Sequence, residues 1–201
     1  EIRVVTEDDI ITAPDARSKD GYYFLGWNTS EDGNGITYQP GDVIDLSTDV
    51  FLHPMWKAIE NTTDITVTID GEGWEGQRVE LYQDSQKKYT LTDKGEGLYR
   101  NDKVINGTYD IYVNGRKSDK DIIIQATTDS IREEQTVTYK WLHITTHLAD
   151  TPSFEPGDVT LRTGSDVIYT PVKEETEGKF REYILMSEPN YDIYVNGINT
   201  D

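Results

Sequence analysis

The chain has no cysteine. That absence removes disulfides, thiolate zinc sites and cysteine nucleophiles together, so any small domain here is held by packing alone. Positive charge is scarce: 19 lysines and arginines stand against 38 aspartates and glutamates, a formal net charge of −19. A surface of that sign is well solvated and repels nucleic acid and anionic membranes, so neither is expected as a partner. No apolar run approaches the roughly 18 residues of a spanning helix, and no membrane insertion is expected. The N-terminus lacks a basic-then-apolar signal segment. We therefore read the chain as a mature piece of a longer multidomain protein. Helical patterning is missing too, because no stretch keeps a 3.6-residue apolar period over ten residues.

What remains is strand signal. Ile65–Ile69 and Val79–Tyr82 alternate strictly, and Tyr109–Val113 alternates apolar residues with aspartate or tyrosine. Between such runs stand the turn dipeptides Asp70-Gly71, Asn106-Gly107, Asn114-Gly115, Pro156-Gly157 and Asn196-Gly197. Short strands with turn chemistry at regular spacing specify an all-β chain. Only Ile10–Lys19 departs, as a short helical turn or an irregular loop.

An internal repeat sets the organisation. "YDIYVNG" occupies Tyr109–Gly115 and recurs letter for letter at Tyr191–Gly197, 82 residues later. Gly97 aligns with Gly178, Tyr89 with Tyr169, and Trp74–Leu81 with Phe154–Leu161. Two β-sandwich copies result, 62–138 and 139–201. The first continues through "RKSDKDIIIQ" into a further strand, while the second stops four residues after Gly197. We expect the second copy to be truncated at its C-terminal strand, with an unpaired edge as the consequence.

Residues Gly21–Lys57 form a different unit: an aromatic segment around Gly26-Trp27, a loop with Gly33 and Gly35, a Tyr38-x-Pro40-Gly41-Asp42 turn, and Val50, Leu52, Trp56 and Lys57. This order resembles the Listeria–Bacteroides repeat, or internalin B-repeat, over residues 1–58. The resemblance implies a small β-grasp-like fold and an address in secreted or surface proteins of bacteria. Against that pattern the first strand, near "EIRVVTEDD", is missing or cut. Burying one tryptophan at about 25 cal/mol/Å² is worth roughly 4–6 kcal/mol at most, so Trp27 and Trp56 are expected to supply most of the core. The two later copies are similar, more loosely, to transthyretin-like sandwiches related to the carboxypeptidase regulatory domain, through Gly107, Tyr109, Val113, Asn114 and Gly115. An immunoglobulin-like sandwich is the near competitor.

Candidate chemistry is sparse. Ser30–Gly35 places oxygen side chains as a calcium loop does, but the bidentate glutamate of such a loop falls on Gly41. A hairpin with Asn34-Gly35 at positive φ is the competing reading. The histidines are His53, His143 and His147. On a strand, His143 and His147 lie about 13 Å apart, too far to share one ion. "GEGWEG" at Gly71–Gly76 lacks the helix and lysine that phosphate binding needs and reads as a strand connection. No catalytic residue, cofactor site or metal site is assigned. Tyr112 and Tyr194 are the weak ligand-binding candidates, because they lie on the strand face opposite Tyr109 and Tyr191 and could stack on a sugar or a partner protein. The alternative for both is cross-strand pairing. Asn28, Asn61 and Asn106 each open an Asn-x-Ser/Thr triplet, to which no role is given.

The expected molecule is mainly β: a B-repeat module, then two tandem sandwiches as beads on a string. Its expected role is non-enzymatic, as a stalk or adhesive array of a cell-surface or secreted protein of a Gram-positive bacterium. The partners would be a host or matrix protein or a glycan. The alternative is a set of carbohydrate-binding accessory modules of a surface enzyme.

Overall fold

The structure, a computed structural model, describes residues 10–45, 47, 49–145, 158–174, 179–187 and 190–200. Among the described residues there is no helix. The "EIRVVTEDD" segment, His147, Gly178 and the Phe154–Gly157 part of the copy alignment lie outside them. The chain divides into two compact units: residues 1–63 with 101–108 and 123–133, and residues 64–100 with 109–122 and 134–201.

In the first unit, β1 (Tyr22–Asn28) lies between β2 (Thr37–Tyr38) and β3 (His53–Ala58), antiparallel to both. Register slips between Phe24 and Gly26, and Gly26 there has φ 132° with the Tyr38 carbonyl 3.0 Å from where a Cβ would stand. Only glycine fits a backbone that close. Trp27 is 4% exposed, packs with Ala13, Tyr38 and Ile44, and donates its indole N–H to the Pro14 carbonyl at 2.8 Å. Trp56 is only half-buried, edge-on to Phe24 at 5.2 Å; Phe24, Val50 and Leu52 complete that core instead. The Ile10–Lys19 segment is irregular, tied down by a Thr12–Val43 bridge and the Ala13 N–H bond to Asp42.

Two asparagines, the buried Asn61 and the half-buried Asn106, tie the separate stretches of the first unit together. Asn61 donates to the carbonyls of Ile59 and Val104 and accepts from the Ile131 N–H, while Asn106 donates to the Ala126 carbonyl and accepts from its N–H. Gly21 (φ 77°) sits so near that a Cβ there would lie 2.5 Å from Asn106 Nδ2.

The first copy contributes β4 (Asn61–Ile69), β5 (Glu72–Gly73), β6 (Val79–Gln83), β7 (Gln86–Thr90), β8 (Thr92–Asp93), β9 (Leu98–Val104), β10 (Gly107–Val113) and β11 (Arg116–Ile124). A 14-residue β12 (Arg132–Thr145) leads into β13 (Val159–Thr163), β14 (Asp166–Tyr169), β15 (Val172–Lys173), β16 (Lys179–Leu185), β17 (Asp192–Val195) and β18 (Ile198–Asn199). The sheet β11-β10-β6-β7 has its equivalent in β18-β17-β13-β14. The third sheet, β15-β16-β12-β4-β9-β8 with β5 on β4, runs through both copies.

β12 makes that continuity. The bonds Thr62 N–H to Ile131 and Asp70 N–H to Tyr139 step the same way along both chains, so β12 runs parallel to β4. Its later half, Tyr139–Thr145, is antiparallel to β16. Successive strand residues face opposite sides. Val137 and Tyr139 are buried on one side, whereas Ile144 joins Val159, Leu161, Tyr169, Phe180 and Ile184 in the second core on the other.

The repeated heptapeptide has a visible reason. Asn114-Gly115 and Asn196-Gly197 both take positive φ, as a two-residue hairpin requires. Each asparagine Oδ1 also accepts a backbone N–H, from Arg78 in one copy and Asp158 in the other, at 3.0 and 3.1 Å. Each leading tyrosine packs edge-on against a partner 5.6 Å away, Tyr89 on Tyr109 and Tyr169 on Tyr191.

Candidate functional site

The sequence candidates come apart in the structure. Tyr112 is half-buried on β10 and lies against Tyr82 of β6, rings 4.2 Å apart and tilted by 32°. Beside them the buried Glu80 carboxylate is bracketed by Arg78 and Lys87 at 3.4 and 3.3 Å. Tyr194 on β17 is likewise half-buried, with the Arg162 guanidinium 4.3 Å from its ring centre. Each tyrosine therefore has one flank taken by its own sheet, and the two occupy equivalent places in separate sheets.

In the B-repeat loop the carboxylate that a cation would need is already engaged. Asp32 accepts from the Ser30 hydroxyl, the Asn34 backbone N–H and the Asn34 side chain, bonds that hold its pKa down to about 2. The Asn28 side chain ties the base of the loop, accepting from the N–H groups of Ser30 and Gly35. Positive φ falls on Gly33, not on Asn34-Gly35. Gly35 is needed for a different reason: a Cβ there would overlap Asn28 Oδ1 and Ser30 N, both 2.8 Å away.

His53 opens β3, and His143 lies on β12 with Glu174 at 3.8 Å. Among the described residues no three metal-ligating side chains converge. The Gly71–Gly76 segment is a connection sewn to Asp93–Gly97: Asp93, its pKa lowered by the N–H groups of Gly95 and Gly76, accepts from both. A cleft of about 570 Å³ in the first unit, beside Asn106 and Thr108, has Asp20 as its one charged wall.

Sequence reasoning missed the densest cluster of ring and charge in the second unit. Trp74, from the glycine-rich segment, lies edge-on to Tyr139, Trp141 and Tyr183 at 5.4, 6.1 and 4.8 Å. Trp141 and Tyr183 are directly opposed across β12 and β16. Arg116, which opens β11, has its guanidinium 4.5 Å from the centre of Tyr183 and 4.8 Å from that of Tyr169. It also bonds the buried Glu182 carboxylate at 2.9 Å. Burial works to lower the Arg116 pKa, but the bond to Glu182 outweighs it and the pKa is raised. The whole assembly seats one copy's loop and strand on the other copy's sheet.

Residues 2–53 match the Listeria-Bacteroides repeat domain family. Over 50 residues the chain is 44% identical to a protein of Evansella cellulosilytica described as a Gly-rich membrane protein; the match covers 23% of this chain and 6% of that protein. Both likenesses point to a repeat region of a cell-envelope protein. Among solved structures, the Bacillus anthracis TIE protein overlaps 76% of this chain and 32% of its own at 11% identity, with a TM-score of 0.29. A score that low establishes no common fold.

Proposed function

We propose that this chain is a non-enzymatic repeat region of a bacterial surface or secreted protein, serving as a stalk that also makes weak multivalent contacts with a host or matrix partner. The observation that carries this reading is the way successive modules are tied. Asn61 and Asn106 tie the separate stretches of the first unit together, and β12 passes without a break from one copy into the next. A chain built so transmits load through paired backbone rather than through free linkers. The B-repeat match and the envelope-protein relative support the address. Weak contacts repeated along such a chain add through effective concentration.

Small-angle scattering of the purified chain tests the stalk. An elongated particle is expected; a compact globule with a single central cleft would overturn it.

A further inference from the structure

The two copies can be laid over each other strand by strand, and where they differ beside Arg100 and Arg181 the difference has chemical content. β8 and β9 pair Thr92 with Arg100 and Asp93 with Tyr99; β15 and β16 pair Val172 with Arg181 and Lys173 with Phe180. Arg181 therefore stands where Arg100 stands, one residue after a buried core aromatic. On the neighbouring strand, Ile65 and Ile144 are the equivalent buried positions, which sets Asp64 against His143. In the first copy Asp64 is 2% exposed and holds Arg100 through two bonds of 2.7 and 2.9 Å. In the second copy Arg181 faces His143 across the strands instead.

The cation is kept and its carboxylate is gone. Arg181 rests over the Trp141 ring, 5.4 Å from its centre, and is ion-paired with no described residue. Two residue pairs along, on the same face, the first copy's Thr62–Asp102 hydrogen bond has its equivalent in the Trp141–Tyr183 pair. Lys179 lies on the same face of β16 as Arg181; among the described residues Glu174 stands 3.8 Å from His143, and the Asp70 carboxylate accepts the Trp141 backbone N–H at 3.2 Å. On a chain of −19 this is a small cationic and aromatic corner. Trp74 takes a flank of both rings and the Arg116 guanidinium lies over Tyr183, but neither accounts for an arginine stripped of its partner.

We propose that this corner of the second copy binds an acidic saccharide, with a uronic carboxylate taken by Arg181 and Lys179 and the sugar's apolar face lying against Trp141. Guanidinium is suited to carboxylate recognition, and flat aromatic surface suits a sugar ring. An acidic peptide is disfavoured, because extended peptides dock on strand edges and here β12 and β16 are paired with each other over 139–145 and 179–185. The proposal rests on the surface-protein reading, but its readout is separate from particle shape.

The test is calorimetric titration of the whole chain with a galacturonic-acid hexamer, a neutral galactose hexamer and hexa-aspartate. The wild-type chain is expected to bind the uronate hexamer, more weakly as salt rises. His143→Asp, which restores the first copy's carboxylate opposite the arginine, should weaken binding about tenfold or more, the scale of one lost ionic contact. Arg181→Gln, at an exposed side chain, should do the same, while Tyr194→Ala should leave binding unchanged. Circular dichroism verifies that each variant is folded. No uronate binding at millimolar concentration, wild-type affinity in folded His143→Asp, or equal binding of the neutral hexamer or hexa-aspartate would each overturn the proposal.

Discussion

Replacing Asn61 with alanine probes the joint that ties the stretches of the first unit together. The side chain is fully buried and reaches three backbone groups: the carbonyls of Ile59 and Val104 at 3.2 and 3.0 Å, and the Ile131 N–H at 3.0 Å. Each such bond contributes about 1 kcal/mol net, and a buried group left without a partner costs about 1–3 kcal/mol. Alanine removes all three bonds and strands the Ile131 N–H and the Val104 carbonyl. The expected loss is about 3 kcal/mol, a large share of the roughly 5–15 kcal/mol by which a domain is stable. For a chain of this size it corresponds to a fall in Tm of roughly 6–12 °C. Guanidinium unfolding followed by tryptophan emission, together with calorimetry, measures both. Asn61→Asp is a useful companion, since it keeps the shape but turns a carboxylate toward two carbonyls. It should cost at least as much at neutral pH. A loss below about 1 kcal/mol for Asn61→Ala would refute the idea that this asparagine fixes the joint.

Three further outcomes follow from the geometry. Gly21→Ala forces a side chain into positive φ and within 2.5 Å of Asn106 Nδ2; a loss of about 2 kcal/mol or more is expected in the same unfolding assay, and an unchanged midpoint would mean the joint is loose. Asp32 has its folded pKa depressed to about 2, so its stabilisation is complete above the unfolded value of about 3.9 and lost as pH falls through about 2. The melting difference between wild type and Asp32→Ala should accordingly shrink between about pH 4 and pH 2, and a pH-independent difference would refute the assignment. Glu182→Gln weakens the hold on Arg116, whose side chain keeps 40% of its exposure. After discounting for that screening, a cost of about 1–2 kcal/mol is expected, read as a shift in the unfolding midpoint, and no shift would show the pair to be incidental.

The sequence made some of this plain and hid the rest for physical reasons. The B-repeat was readable because its signals are local: Gly26, Trp27 and the Pro40-Gly41 turn act within a few residues of each other. The repeat of "YDIYVNG" was readable because its first tyrosine, its asparagine and its glycine answer the same needs in both copies, a tyrosine edge, a backbone N–H and a hairpin φ. Trp56 misled, since composition cannot say which of two tryptophans in a small sheet is enclosed. Tyr112 and Tyr194 were found by alternation, which assigns a face but not a neighbour, so the stacking of Tyr82 and Arg162 on them was invisible. The corner at Trp141 and Arg181 draws on residues near 74, 116, 141 and 182, and no spacing rule links them. Its one sequence signal was the change from Asp64–Arg100 to His143–Arg181, legible only after the copies are aligned by core position.

β12 shows why aligned copies can still conceal how they are joined. A strand facing one core alternates cleanly, whereas "TYKWLHIT" carries apolar residues on both parities from Tyr139 to Ile144. Such a run is the pattern of a strand buried on both faces. Here the two faces serve different partners: Tyr139 and Trp141 meet Trp74 of the first copy, and Leu142 and Ile144 meet the second core. The repeat period divides the chain at a residue number, but hydrogen bonds continue along β12 on either side of it. Any force or fluctuation that frees Val137–Ile144 from one copy must therefore disturb the other, and this coupling is what the tandem arrangement gains by sharing the strand.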